Sequence, residues 1–474
     1  MRSYMRLPRT LLCLLQAFLV VAQPPQLTLN HGVYNFSSST LPNPPTFKLP
    51  VSNPLYLSVA LCSAQTTLPR LFVTNDSTAS QPGPAELGQA NVYEIPLEDG
   101  LGVWSGPMNV QGVLAIYNAS QSLSFEIGLS NAGPIHQILD ELPLLGDTTS
   151  NQVLLFSPPF SPPEISAPTY PNYTLPAANL TFPPAPPSPS NYSVFVTLTS
   201  TTPLPLTTCA LNVAQVEGSL YDSPSSVSSQ GLWLRDTDGW RWQWLINGLL
   251  PQKNYTAYAI LNDTKVSGPI NFVTKSASFS CPLVHSLPFC PAVAYAAPLP
   301  DLTNNPALGA TAGDLPDSLT GPLLSGLANF TVMLTTLACG RDKYSQLVTC
   351  ADCQTAYRAW LCMVSFPRCG EYPSSTGTST QPALQPVAPS ATPRNPSLAP
   401  FAESYDAMLP CLETCNAVDR ACPPFLGFRC PVPQFTAGDS YGVGFIDSGA
   451  QGVMGGGSTG AAADRWGNVW CNMP

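Results

Sequence analysis

Twelve cysteines lie between Cys281 and Cys471, four of them crowded into CADCQTAYRAWLCMVSFPRC, residues 350–369. Such density leaves three outcomes: a zinc site, a redox pair or a disulfide framework. The compartment separates them. Arg2, Arg6 and Arg9 precede the run LLCLLQAFLVVA, Leu11 to Ala22, with Val20 and Ala22 at the −3 and −1 positions of a cleavage site. A basic segment, a short apolar run and small residues predict a secretory signal peptide over residues 1–22. Its twelve-residue apolar run is too short to anchor in a bilayer, where a span needs about 20 residues.

Sequons at Asn35, Asn75, Asn118, Asn172, Asn179, Asn191, Asn254, Asn262 and Asn329 agree with export and predict a glycoprotein. Beyond residue 22 there remain 15 Lys and Arg against 28 Asp and Glu, a formal charge of −13. An acidic surface argues against nucleic acid or anionic lipid as a partner. The longest apolar stretch after the signal, Leu327 to Cys339, is too short to span and carries a sequon.

Losing Cys13 with the signal leaves fourteen cysteines, an even number in an oxidising compartment: Cys62, Cys209, Cys281, Cys290, Cys339, Cys350, Cys353, Cys362, Cys369, Cys411, Cys415, Cys422, Cys430 and Cys471. Zinc needs a second CxxC or clustered histidines, but there is one CxxC, and His31, His136 and His285 are scattered. A redox pair needs a thioredoxin-like βαβ setting, absent around Cys350 and Cys353. Disulfides remain. Cys350, Cys353, Tyr357, Trp360 and Val364 recur at helical spacing, as do Cys411, Cys415, Val418 and Cys422. Two cysteine-bearing helices facing each other are expected, their bridges substituting for apolar core. Cys62 and Cys209 are left to pair with each other, tying two modules together.

Fifty-four prolines disfavour long helices and central strands. Short alternating runs such as LYLSVALC, GVLAIYNAS and NQVLLFS predict a mostly β, multidomain chain with an N-terminal antiparallel β-sandwich over 23–156. Twelve prolines in 157–190 predict an extended glycosylated linker. From 191 to 280 YSVFVTLTS and CALNVAQVEG read as strands. Leu250, Pro251 and Tyr255 fit the corner of a fibronectin-III-like sandwich. Asp236 and Asp238 look like the start of a calcium loop, but later oxygen ligands are missing. They read better as a turn before a strand carrying Trp240, Trp242 and Trp244. Residues 281–474 form the cysteine-rich helical domain, with a disordered insertion about 373–400 and a Gly-rich tail pinned back by Cys471. The β-modules are expected to fold without residues 339–430.

TCADCQTAYRAWLCMVSFPRC and PCLETCNAVDRACPPFLGFRCP resemble the C-terminal signature of the fungal stretch-activated calcium-channel component family, the mating-induced death proteins. The second block also resembles Frizzled-type cysteine-rich domains and the auxiliary factors of sodium-leak channels. The resemblance implies a non-catalytic regulatory subunit of a plasma-membrane calcium-influx complex, acting on the extracellular face or in the endoplasmic reticulum. Its implied partner is a four-repeat pore-forming channel subunit, engaged through extracellular loops. Family descriptions also include a channel role in its own right, for which this sequence offers no spanning helix.

A stapled surface suits a preorganised protein contact, with Tyr344, Arg358, Trp360 and Arg368 as the candidate contacts. Tyr357, Trp360 and Phe366 individually read better as core. The sequence calls for no cofactor or metal, and no GxSxG elbow or paired base points to an enzyme. The rival reading is a secreted wall-associated or Frizzled-like lipid- or ligand-binding glycoprotein with no channel role.

Overall fold

The computed structural model describes residues 24–473 apart from 30–31, 77–80, 89–90, 121, 164–173, 200–203, 217–226, 301–307, 337–344, 346, 372–382, 433–434 and 443–470. The expected signal peptide, Asn172, Cys339, Tyr344 and most of the Gly-rich tail lie outside the described residues. The chain divides into Met1–His136 and Gln137–Pro474.

The first unit is an antiparallel β-sandwich. One sheet runs β1 (Val33–Ser37), β8 (Ser124–Ser130), β3 (Ser52–Leu61), β6 (Leu101–Met108). The other runs β2 (Thr46–Leu49), β7 (Gly112–Tyr117), β4 (Arg70–Thr74), β5 (Val92–Ile95). Alternation explains it: Leu55, Leu57, Val59 and Leu61 of β3 and Phe125, Ile127 and Leu129 of β8 point into one core with Phe47, Leu71, Val73 and Leu114. Cys62, just past β3, is buried and disulfide-bonded.

The second unit begins earlier than the expected boundary at 156. Strands β9 (Gln137–Leu139), β10 (Leu144–Thr148) and β11 (Gln152–Phe156) join the second sandwich. Its sheets run β10-β11-β14-β13 and β12-β15-β16-β9, with β12 Tyr192–Leu198, β13 Val227–Leu234, β14 Trp240–Asn247, β15 Asn254–Leu261 and β16 Lys265–Val273. The run QVLLF is buried throughout because both faces are covered. Val153 and Leu155 meet Trp244, Tyr255 and Phe272 in the sandwich core. Leu154 and Phe156 meet Cys281, Leu283, Ala296 and Cys369 on the other side. The expected corner is formed: the Leu250 amide donates to the Tyr255 hydroxyl at 2.9 Å, and Tyr255 is fully buried against Phe272.

The stretch CALNVAQV, read as a strand, is helix α1 (Thr208–Val216). Thr207 accepts from the Ala210 amide at 3.3 Å, a helix-starting cap. Leu211 packs on Phe195, Tyr258 and Val266, and Cys209 is disulfide-bonded.

The remainder forms a cap: hairpin β17 (Leu283–Val284) and β18 (Tyr295–Ala296), helices α2 (Asp317–Thr336), α3 (Cys350–Ser365) and α4 (Leu412–Ala421), and an antiparallel sheet β19-β21-β20. Here β19 is Arg368–Gly370, β20 Leu384–Val387 and β21 Tyr405–Met408. Strand β20 lies inside the insertion expected to be disordered. Residues 383–400 are ordered because Gln385 and Val387 pair with β21, Asn395 donates to the Ser365 carbonyl, and Leu398 is buried. The linker also departs from expectation. Within 174–190, Leu175 and Ala178 pack into the cap, Phe182 stands edge-on to Trp233 at 4.8 Å, and Ser190 accepts from Trp242 Nε1. This segment is a strap across the unit rather than a free spacer, since its apolar side chains find covered sites.

Candidate functional site

Helix α3 organises the cap. Thr349 starts it with a reciprocal capping box: its Oγ1 accepts from the Asp352 amide, and Asp352 Oδ2 accepts from the Thr349 amide at 2.7 Å. Along the expected stripe Cys350 and Cys353 are buried and Tyr357, Trp360 and Val364 half-buried, and a second flank that the stripe did not include buries Gln354, Arg358 and Cys362. Tyr357 stacks on Phe330 of α2 at 3.7 Å, and Trp360 stands edge-on to Phe428 at 5.1 Å while donating to the Tyr441 hydroxyl at 2.9 Å.

Covalent ties fix this geometry. Cys353–Cys422 joins α3 to the end of α4, Cys415–Cys430 closes the loop after α4, and Cys411–Cys471 pins the C-terminal segment beside the start of α4. Cys290–Cys362 fastens α3 to the hairpin region and Cys281–Cys369 fastens β19 to the chain leaving the sandwich. Cys350 is disulfide-bonded too. Bridges of this kind each contribute about 2–4 kcal/mol.

The two arginines expected to reach a partner are buried inside the unit. Arg358 is 5% exposed; it donates to the carbonyls of Ala177 (2.9 Å), Ala178 and Phe289 (3.0 Å), while Gln354 donates to Pro176 O at 2.8 Å. Burial lowers the Arg358 pKa to about 10. Arg368 is 3% exposed and donates through Nε to Asp147 Oδ2 at 3.0 Å and through a terminal nitrogen to Gly146 O. Both clamp distant segments of the same unit. Trp360 keeps a partly open ring.

Asp147 is the hub that the sequence reading missed, although a lone acid in the apolar run LPLLGDTT was a signal. Its other oxygen accepts from Lys275 Nζ at 2.8 Å, and it also accepts from the backbone amides of Thr148 and Ala296. Burial opposes its charge, but Arg368 and Lys275 outweigh that and hold its pKa near about 2. The approach of β10 to the hairpin is so close that a Cβ on Gly146 would lie 2.7 Å from Ala294 O, so glycine is required. Above the hub, Arg368 lies over the Tyr295 ring at 5.4 Å and the Tyr295 hydroxyl donates to Phe366 O. Burial lowers the His285 pKa; Nε2 donates to Leu308 O, leaving Nδ1 to accept from Gln243 and Ser286.

Of the sequons, Asn35, Asn118, Asn179, Asn191, Asn254, Asn262 and Asn329 are exposed. Asn75 is half-buried, its Nδ2 donating to Pro107 O. Exposed apolar side chains occur along the described chain, and the four most open ones lie on the cap. Leu347 (93%), Phe435 (80%), Val332 (61%) and Phe425 (60%) are the most exposed large apolar residues among those described. No described helix is long and apolar enough to cross a membrane.

Residues 54–454 match the family described as Mid1, stretch-activated Ca2+-permeable channel component. The chain belongs to that family. A stretch-activated cation channel MID1 of Cryptococcus neoformans var. grubii is 33% identical over 94% of this chain and 83% of its own. The stretch-activated cation channel MID1 of Saccharomyces cerevisiae is 34% identical over 34% of this chain and 28% of its own. The stretch-activated cation channel yam8 of Schizosaccharomyces pombe is 30% identical over 44% of each. Mid1 proteins are channel components, not an enzyme family. Such a role associates the chain with a membrane, and its disulfides suit the secretory or extracellular side.

Proposed function

We propose that this Mid1 protein is a non-catalytic, extracellular regulatory subunit of a calcium-influx complex, its cap docking on extracellular loops of a four-repeat pore-forming subunit. The observation that carries the reading is the set of open apolar side chains, Leu347, Phe425 and Phe435 among them, on segments adjoining the disulfide-stapled helices α3 and α4. Such side chains cost free energy in water unless a partner covers them. A scaffold already stapled loses little further entropy on binding. The half-open Trp360 beside Phe428 offers an aromatic anchor of the kind that dominates contacts.

The reading supersedes the expectation that Arg358 and Arg368 touch the partner and moves the contact to the apolar rim. The test is co-purification from detergent-solubilised membranes with Phe425→Ser, Phe435→Ser and Leu347→Ser combined. The multi-span subunit should be lost and calcium uptake should fall, while export and bridge pattern persist. Undiminished recovery of the channel subunit by the triple variant overturns the docking surface. A co-purifying lipid with no channel subunit favours the rival ligand-binding reading.

A further inference from the structure

A cleft opens in the second unit where the turn between β10 and β11 faces the end of β14 and the segment 279–282. Its volume is about 380 Å³, in the lower part of the range of about 300–1,000 Å³ for small-molecule sites. Among the described residues no charged side chain lines it. Asn151, Gln152 and Asn247 supply neutral amides, Thr149, Ser150 and Ser280 hydroxyls, and Phe279, Cys281 and Pro282 the less polar wall.

These groups are held in place. Gln152 Nε2 donates to Asn247 Oδ1 at 3.0 Å, and the backbone amides of Asn151 and Gln152 both donate to Thr149 Oγ1. The turn is closed by Thr149 N to Gln152 O (2.9 Å) and tied to the far side by Leu249 N to Asn151 O (3.0 Å). Lys275 Nζ lies 4.3 Å from the Phe279 ring centroid and is itself fixed to Asp147.

The lining selects its ligand chemically. A charged molecule finds no counter-charge. A wholly apolar one strips amides and hydroxyls of water, at about 1–3 kcal/mol for each group left unpaired. A ligand with many hydroxyls, each both donor and acceptor, and a C–H face to lie against an aromatic ring satisfies both kinds of wall. We propose that this cleft binds a neutral carbohydrate, either an external polysaccharide or an N-linked glycan. Cys281 lines the cleft and is bridged to Cys369 of β19, immediately beyond α3. A sugar seated there bears on the covalent joint between sandwich and cap. The inference does not depend on the channel partner proposed above.

The test uses the full, disulfide-intact secreted protein, enzymatically deglycosylated, in calorimetric titration with laminarihexaose and with a free mannose-rich N-glycan. Dextran sulfate serves as a charged control. At least one neutral probe should bind saturably, and dextran sulfate should not displace it. Asn151→Ala should weaken binding by about ten-fold, the loss of about one ligand hydrogen bond. Ser280→Trp should abolish binding with bridge pattern and melting temperature retained. Binding of the glucan supports an external polysaccharide as occupant; binding of the mannose-rich chain alone supports a glycan on a glycoprotein. Absence of binding by both neutral probes, or undiminished binding by folded Ser280→Trp, overturns the assignment.

Discussion

Arg358 carries a positive charge into the interior and meets three carbonyls instead of a carboxylate. Arg358→Met keeps much of the volume and leaves those carbonyls unpaired, so it should cost about 2–4 kcal/mol. Hydrogen exchange should quicken across 174–182, while Arg358→Lys, lacking the planar fork, should not restore the strap. Asp147→Asn removes a carboxylate between two buried cations and should cost about 3–5 kcal/mol in thermal unfolding. The folded pKa near about 2 lies below the ordinary 3.8. The stability Asp147 contributes is therefore complete above pH 3.8 and lost as pH falls through the folded value. Asp147→Asn should flatten that acid limb, and an unchanged slope between pH 4 and 2 would show that Asp147 does not govern it. Neither arginine's role was legible locally. The acceptors of Arg358 in the strap lie 180 and 181 residues upstream, and the carboxylate of Arg368 lies 221 upstream. A basic residue near cysteines looks the same whether it faces inward or out.

Among elements, those with a strong local rule were readable. The three- and four-residue cysteine spacing of α3 and α4 and the Leu250–Tyr255 corner each follow from geometry within a few residues. Tyr255→Phe tests the corner. It leaves the Leu250 amide without that partner and should lower stability by about 1–3 kcal/mol, read as a lower melting temperature at unchanged strand content. A melting temperature equal to the parent would make the bond incidental. Elements decided by distant neighbours were not readable. CALNVAQV alternates well enough for a strand, but Thr207 caps it and adjacent Ala210 and Leu211 are both buried, as a helix allows. NQVLLFS announces a buried strand without saying in which sheet; pairing with Trp244 and Leu245 decides that. The strap has no periodicity, and its docking shows only in three dimensions, through its carbonyls, Leu175, Ala178 and Phe182.

At the scale of the second unit, sandwich and cap share more than a tether. Leu154, Phe156 and Leu245 are 0–1% exposed because Leu283, Ala294, Ala296 and Cys369 cover them. Uncovering three such side chains costs about 5–9 kcal/mol, comparable with the whole stability of a domain, about 5–15 kcal/mol. Arg368 leaves Asp147 at the same time, and Trp233 Nε1 loses Pro291 O. Fragment 137–280 should therefore lack a cooperative melt, although its strands satisfy a fibronectin-like pattern, whereas 137–474 should unfold in one transition by near-ultraviolet circular dichroism and hydrogen exchange alike. A sharp melt for 137–280, or two separated transitions for 137–474, would make the modules independent, as the sequence pattern alone suggests. One transition follows from the number of joints: Cys281–Cys369, the Asp147 ion pairs and a continuous apolar seam all tie the second sandwich to the cap.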